Sequence, residues 1–298
     1  MVFQSFREAF RCILRYPLIL LSGVWAGCAV AAFEYCIFNG LDFYGGTIGF
    51  FGLIVFPFFV GASYEMIHRD DGSFSVFRTG GISRYFAVLL PGAFVTFFGA
   101  IAAFILTILL AAVGGGQDDM LMIMGIFWIF IPILFFFFFY DTAAVLEEKN
   151  VFDSLRRSLQ FVRSRPFEVI AFYCGCFVLL IVLFIASAFI GSVFLAGSMV
   201  FDPSLDVNTL LNMTAEEQQA LIGEEGLSLI IALYAVVTGI FTAILLPFKA
   251  VFYRRHVLGI SEKMQEEKMQ EEKMQEEKMQ EEKMQEGVYD EKGRWYKY

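Results

Sequence analysis

The chain has 298 residues, of which 58% are hydrophobic and 18% charged, and 37 are Phe. Soluble domains average about 45–50% apolar and about 25% charged residues, so a water-soluble globule is excluded. The formal charge of −9 is a poor guide to partners: many acids lie in the C-terminal tail, and no basic soluble domain is present to hold nucleic acid.

All 22 Lys and Arg fall within 7–15, 69–84, 149–165 and 249–297. The intervening stretches 16–68, 85–148 and 166–248 are almost wholly apolar, and each is long enough for two crossings joined by a turn. Lys and Arg are held back in the cytoplasm during insertion. The pattern predicts an all-α polytopic membrane helix bundle of six transmembrane helices in three hairpins. It sits in the cell membrane, with the N- and C-termini cytoplasmic and no cleaved signal.

In chain order, residues 2–17 come first. Phe3, Phe6, Phe10, Ile13 and Leu14 form an apolar stripe at helical spacing. Arg7 and Arg11 lie off the stripe, where an interfacial helix turns cations toward lipid headgroups. Pro17 opens the first span, about 17–39. Gly23, Gly27 and Ala31 repeat at the small-residue spacing that lets helices approach closely. Glu34 stands well inside that span and is the candidate intramembrane polar site. The second span is about 46–67, opened by Gly45 and Gly49. Segment 74–84 reads as a degraded copy of the first amphipathic helix, weakened by Gly80 and Gly81.

The third and fourth spans are about 85–113 and 121–140, and the fourth ends in the Phe135–Phe139 run, read as bulk rather than as a cofactor pocket. Residues 151–166 repeat 2–17 without gaps, matching Val2/Val151, Phe3/Phe152, Ser5/Ser154, Arg7/Arg156 and Pro17/Pro166. Their stripe is Phe152, Leu155, Leu159 and Val162. Asn150 with Asp153 resembles a capping box. Arg156, Arg157 and Arg163 join Arg7 and Arg11 as candidate headgroup contacts. Asp141, Glu147, Glu148 and Glu168 are expected to pair with Arg156, Arg157, Arg163 and Arg165 at the interface.

The fifth span is about 167–200 and contains Cys174-Gly175-Cys176, whose thiols read as small hydrophobes. In the outer segment 202–226, Thr214 and Glu217 predict a short helix over 215–222, and Asn212-Met213-Thr214 is a sequon. The sixth span is about 227–253. The even spans echo one another as Pro57 to Tyr64, Pro132 to Tyr140 and Pro247 to Tyr253, through shared ancestry of three hairpins or as hinges. Residues 1–260 form the membrane domain and 261–298 a low-complexity cytoplasmic tail with five EKMQE copies at 262–286. A five-residue period turns Met around the helix instead of forming a stripe, which excludes a coiled coil.

The stretch 145–170, VLEEKNVFDSLRRSLQFVRSRPFEVI, follows an aromatic span ending at Tyr140-Asp141. It resembles an archaeal and bacterial six-helix integral membrane family of unassigned chemistry, related to the membrane domain upstream of some glycerophosphodiester phosphodiesterases. The resemblance covers roughly 1–260 and implies a six-helix membrane fold. No catalytic domain follows Ile260, so phosphodiesterase activity is not carried over.

No nucleophile–His–acid set, phosphate loop or metal spacing occurs in the sequence, so no catalytic, cofactor or metal residue is assigned and no cofactor is expected. The expected function is non-enzymatic membrane organisation through lipid or partner binding. The alternative is a small transporter or lipid-moving protein. Expected partners are membrane lipids and a protein docking on the tail, with Trp295–Tyr298 as the contact.

Overall fold

The computed structural model describes residues 2–112, 128, 130–198, 223–257, 288–289 and 291–296. The predicted outer helix over 215–222, the sequon and the EKMQE copies lie outside these residues. The chain divides into two compact units, Met1–Phe252 and Tyr253–Tyr298.

Helix α1 spans Val2–Arg15 and stops before Pro17, which starts a 3-10 turn, Pro17–Ile19. Helix α2, Leu20–Phe38, is joined by a tight turn to α3, Asp42–Arg69. Helix α4, Phe74–Ala112, runs unbroken through Gly80, Gly81 and Pro91. The 74–84 segment is therefore the first turns of a long membrane helix. Its glycines serve close packing: a Cβ at Gly80 would sit 2.5 Å from Glu65 Cβ, and one at Gly81 would sit 2.4 Å from the Phe58 ring.

Helix α5 occupies 130–137 and is interrupted at 138–139 before α6, Tyr140–Leu146. The break lies about two helical turns after Pro132 and not at the proline. Helix α7 is Val151–Ser164. It starts where expected, but Asn150 makes no side-chain capping bond, so the capping box is not formed. Helices α8, Pro166–Ser198, and α9, Gly223–Val257, complete the helical part.

Five described helices are long and apolar enough to cross a membrane: Pro17–Phe38, Asp42–Arg69, Phe74–Leu109, Pro166–Phe194 and Gly223–Val257. The predicted fourth crossing, 121–140, lies partly outside the described residues. Its described part belongs to the shorter apolar stretch Phe130–Leu146.

Small residues set the helix spacing, as the glycine pattern in α2 implied. A Cβ on Gly23 would fall 2.3 Å from the Gly239 carbonyl oxygen, and one on Gly27 would fall 2.6 Å from that of Ala235. Helices α2 and α9 thus meet backbone to backbone, as only small residues permit. The densest core lies toward the Arg-bearing ends of the helices, where Tyr16, Ile19, Val60, Tyr64, Met66, Phe77, Val145 and Leu246 cluster. Farther along α4 and α8, large apolar side chains such as Phe97, Phe104, Phe184 and Phe189 are exposed.

In the second unit the tail is not wholly helical. Val288 and Tyr289 pair antiparallel with Tyr296 and Trp295, and Gly293 adopts the positive φ of +72° that the connecting turn requires.

Candidate functional site

One buried polar cluster draws a residue from each predicted hairpin: Tyr64 of α3, Asp141 of α6 and Lys249 of α9. Lys249 Nζ donates to Asp141 Oδ2 at 2.7 Å and lies 2.6 Å from Oδ1. The Tyr64 hydroxyl donates to Oδ2 at 3.2 Å, and the Thr142 amide donates to Oδ1 at 2.7 Å. The ammonium also sits 4.0 Å from the centroid of the Phe138 ring. Asp141 is 6% exposed and Lys249 4%. A lone buried charge is very costly, so the pair is tolerable only because the two charges cancel and the carboxylate is well supplied with donors.

The interruption of the fourth helix lies directly before Asp141. Ser158 Oγ of α7 donates to the Phe136 carbonyl at 2.8 Å and accepts from the Phe139 amide at 3.2 Å. Thr142 Oγ1 donates to the Phe139 carbonyl at 2.7 Å. These contacts satisfy backbone groups freed by the break, which apolar surroundings require.

Both ions escaped the sequence reading. Asp141 was expected among interfacial acids pairing with Arg, and Lys249 was grouped with the basic tail. Their separation of 108 residues carries no local signal. The available clue was one isolated acid and one isolated base, each embedded in aromatic sequence, as in FFFFFYDTAAVL and LLPFKAVFY.

A second buried acid, Glu65, follows Tyr64 just as Asp141 follows Tyr140. Only 1% exposed, it receives Arg69 Nε at 2.6 Å and Arg84 Nε at 2.9 Å. Arg84 reaches onward to Glu148, whose carboxyl the guanidinium holds below the usual range. Glu148 therefore pairs with α4 and not with the Arg residues of α7. Arg157 Nε contacts both Glu147 oxygens, at 2.9 and 3.0 Å, and Arg165 reaches Glu168 at 3.4 Å, as the expected interfacial pairing requires. Arg15 and Tyr16 both hold Asp70, the left-handed residue ending α3. Burial beside the Asp70 carboxylate raises the Tyr16 phenol to about 12.

The predicted headgroup arginines divide. Arg7, Arg11, Arg156 and Arg163 are exposed, while Arg157 is half-buried in its ion pair with Glu147. The apolar stripes divide too. In α1 the buried residues are Ser5 and Ala9, while Phe3 is 79% and Leu14 83% exposed. At 100° per residue α1 has three faces: a small-residue face inward, Phe3, Phe10 and Leu14 to one side, and Arg7, Arg11 and Arg15 beyond them. Helix α7 likewise buries Ser154, Leu155, Ser158, Phe161 and Val162 while exposing Phe152.

Glu34 is half-buried, with no hydrogen-bond or ion-pair partner among the described residues. It lies near the α2–α3 turn, whereas Tyr64 is roughly 33 Å farther along α3. The predicted polar site and the observed one are therefore separate.

Cavities between the described helices include three. One of about 620 Å³ separates α8 from α9, with Phe184, Gly191 and Tyr234 among its walls. Another of about 610 Å³ lies along α2 and α9 beneath Phe10 and Ile13 of α1. The third, about 370 Å³, lies beside Trp25, Phe33 and Phe56. Apolar side chains dominate all three.

Long apolar helices, a charge pair sealed among aromatic rings and large exposed hydrophobic side chains define an α-helical membrane protein. Residues 1–256 match the family described as Domain of unknown function (DUF7847), and the chain belongs to that family. No curated protein and no solved structure matches it.

Proposed function

We propose that this is a six-crossing protein of the cell membrane, with both termini cytoplasmic, that binds and organises anionic lipid without catalysing a reaction. The observation that carries this reading is the three-faced form of α1, partly repeated in α7. Helix α1 packs the small Ser5 and Ala9 on the bundle and exposes Phe3, Phe10 and Leu14 beside Arg7 and Arg11, while α7 packs a mixed face and exposes Phe152 with Arg156 and Arg163; none of these four arginines has an ion-pair partner among the described residues. That is the arrangement of a helix lying in the interface, where each cation near an anionic surface contributes about 1 kcal/mol. A protein partner would dock on the tail.

Retention of phosphatidylglycerol over phosphatidylcholine in native mass spectrometry, from nanodiscs holding equal amounts of both, tests the lipid reading. Equal retention would sink it. Orientation is tested in a cysteine-free background by adding Cys at the exposed positions Asn39 or Gln160. An impermeant maleimide should label Asn39→Cys in intact cells and leave Gln160→Cys untouched.

A second reading, a lipid-moving or transport protein, is favoured by one observation: Asp141 and Lys249 meet at a broken helix, a recurrent device of transporters. Lipid scrambling by reconstituted vesicles, abolished by Asp141→Asn, would establish that reading over the first.

A further inference from the structure

We infer that the groove beneath α1 is a specific site for one anionic phospholipid, with its phosphate on Arg7 and Arg11 and an acyl chain along α2 and α9. The inference rests on the lipid-binding reading and gives it a location. The groove encloses about 610 Å³, within the roughly 300–1,000 Å³ of small-ligand sites. Its walls are hydrocarbon: Leu20, Val24 and Cys28 from α2, and Val236 and Ile240 from α9. These residues are exposed, so the groove is open along its length and a chain can enter sideways from the bilayer.

Phe10 and Ile13 of α1 border one end. Arg7 precedes Phe10 by three positions and Arg11 precedes Leu14 by three, so each cation shares a helix face with an exposed apolar side chain. Neither arginine has a carboxylate partner among the described residues, unlike Arg15 next along the helix, which is bound to Asp70. An apolar slot whose end is formed by a helix that also carries two exposed cations, without a carboxylate partner among the described residues, is complementary to a molecule with one anionic head and a long hydrocarbon tail. A zwitterionic lipid would fill the slot but would place its own cation beside the arginines. A soluble phosphate would satisfy the arginines and leave the slot empty.

The experiment uses the full chain in nanodiscs of equal phosphatidylglycerol and phosphatidylcholine, with retained lipid counted by native mass spectrometry. Wild type is expected to keep one phosphatidylglycerol after annular lipid is stripped. Replacing both α1 cations, Arg7→Gln with Arg11→Gln, should lower its occupancy by about thirty-fold, the factor two such cations supply. Cys28→Trp, which fills the slot from an exposed position, should expel the lipid while leaving the melting temperature unchanged. Arg78→Gln on α4, an exposed cation outside both amphipathic helices, should leave the retained lipid in place.

If wild type prefers phosphatidylglycerol but neither the α1 pair nor Cys28→Trp reduces it, the site is wrong while the general lipid reading stands. Loss caused by Arg78→Gln, with the α1 pair without effect, moves the site and overturns this assignment. Equal retention of both lipids by wild type overturns both readings.

Discussion

Helices α1 and α7 are two copies of one sequence that meet different surroundings. Both bury the serine at the same place, Ser5 in one and Ser154 in the other. One turn later the first copy has Ala9 and the second Ser158, both fully buried. Ser158 lies against the interrupted fourth helix and bonds its freed amide and carbonyl. The equivalent of Arg157 in the first copy is Glu8, so only the second copy grips Glu147. The repeated pattern thus builds the docking face, and single polar substitutions adapt each copy to what lies beneath.

The most severe test of that difference removes the group that follows the break. Asp141→Asn leaves Lys249 charged and unpaired in a dry site, and it should cost about 3–5 kcal/mol. Replacing both ions together, Asp141→Leu with Lys249→Met, should recover most of the loss, because no uncompensated charge remains. Thermal unfolding in detergent decides the matter. A single variant melting like wild type would mean the pair is not closed as described.

Next in size is the buried apolar face of the second copy. Leu155→Glu should forfeit at least the roughly 1.5–3 kcal/mol of its burial and lower membrane yield. Glutamate at Phe152, 69% exposed on the same helix, should leave the unfolding temperature nearly unchanged and weaken vesicle binding instead. Equal destabilisation by both would contradict the division of faces.

Ser158→Ala strands the Phe139 amide and should cost about 1–3 kcal/mol. In the first copy, Ala9→Ser should shift stability by less than about 1 kcal/mol, since a helical serine can bond its own preceding carbonyl. Matching losses in the two copies would erase the distinction between them.

The smallest effect belongs to the end of the first copy. Tyr16 has its folded-state pKa raised from 10 to about 12 by burial and by Asp70. A raised value stabilises the fold fully below pH 10, and the contribution fades as pH climbs toward 12. Alkaline titration of tyrosine absorbance should lose one late-ionising phenol in Tyr16→Phe, and wild type and variant should converge in stability above that range.

The five long apolar helices were legible because each is a local property: an apolar run, a boundary proline, a cluster of arginines. The boundary prolines were legible for the same reason: Pro17 starts the 3-10 turn before α2 and Pro166 is the first residue of α8. Which side of each amphipathic helix faces the bundle was not. The apolar stripe marked the exposed side, with Phe3 and Leu14, and gave no sign that the small Ser5 and Ala9 are what let α1 approach its neighbours. Gly80 and Gly81 misled: propensity marks them as helix breakers, whereas close contact with Glu65 and Phe58 requires them. Glu34 drew attention as an isolated acid. The buried acids Asp141 and Glu65 were overlooked because each sits beside basic sequence that offered nearer partners.

The contact of Gly23 and Gly27 with Gly239 and Ala235 has a bearing on how the chain is made. The first membrane helix leaves the ribosome roughly 200 residues before the partner it touches backbone to backbone. At about 5–20 residues per second that interval is roughly 10–40 s. During it, the glycine-lined surface of α2 faces whatever the insertion machinery provides. The α2–α9 contact forms only when α9 is released. Chains cut short before residue 235 therefore carry an unfilled seam, and quality-control proteases have a definite feature by which to tell unfinished molecules from finished ones.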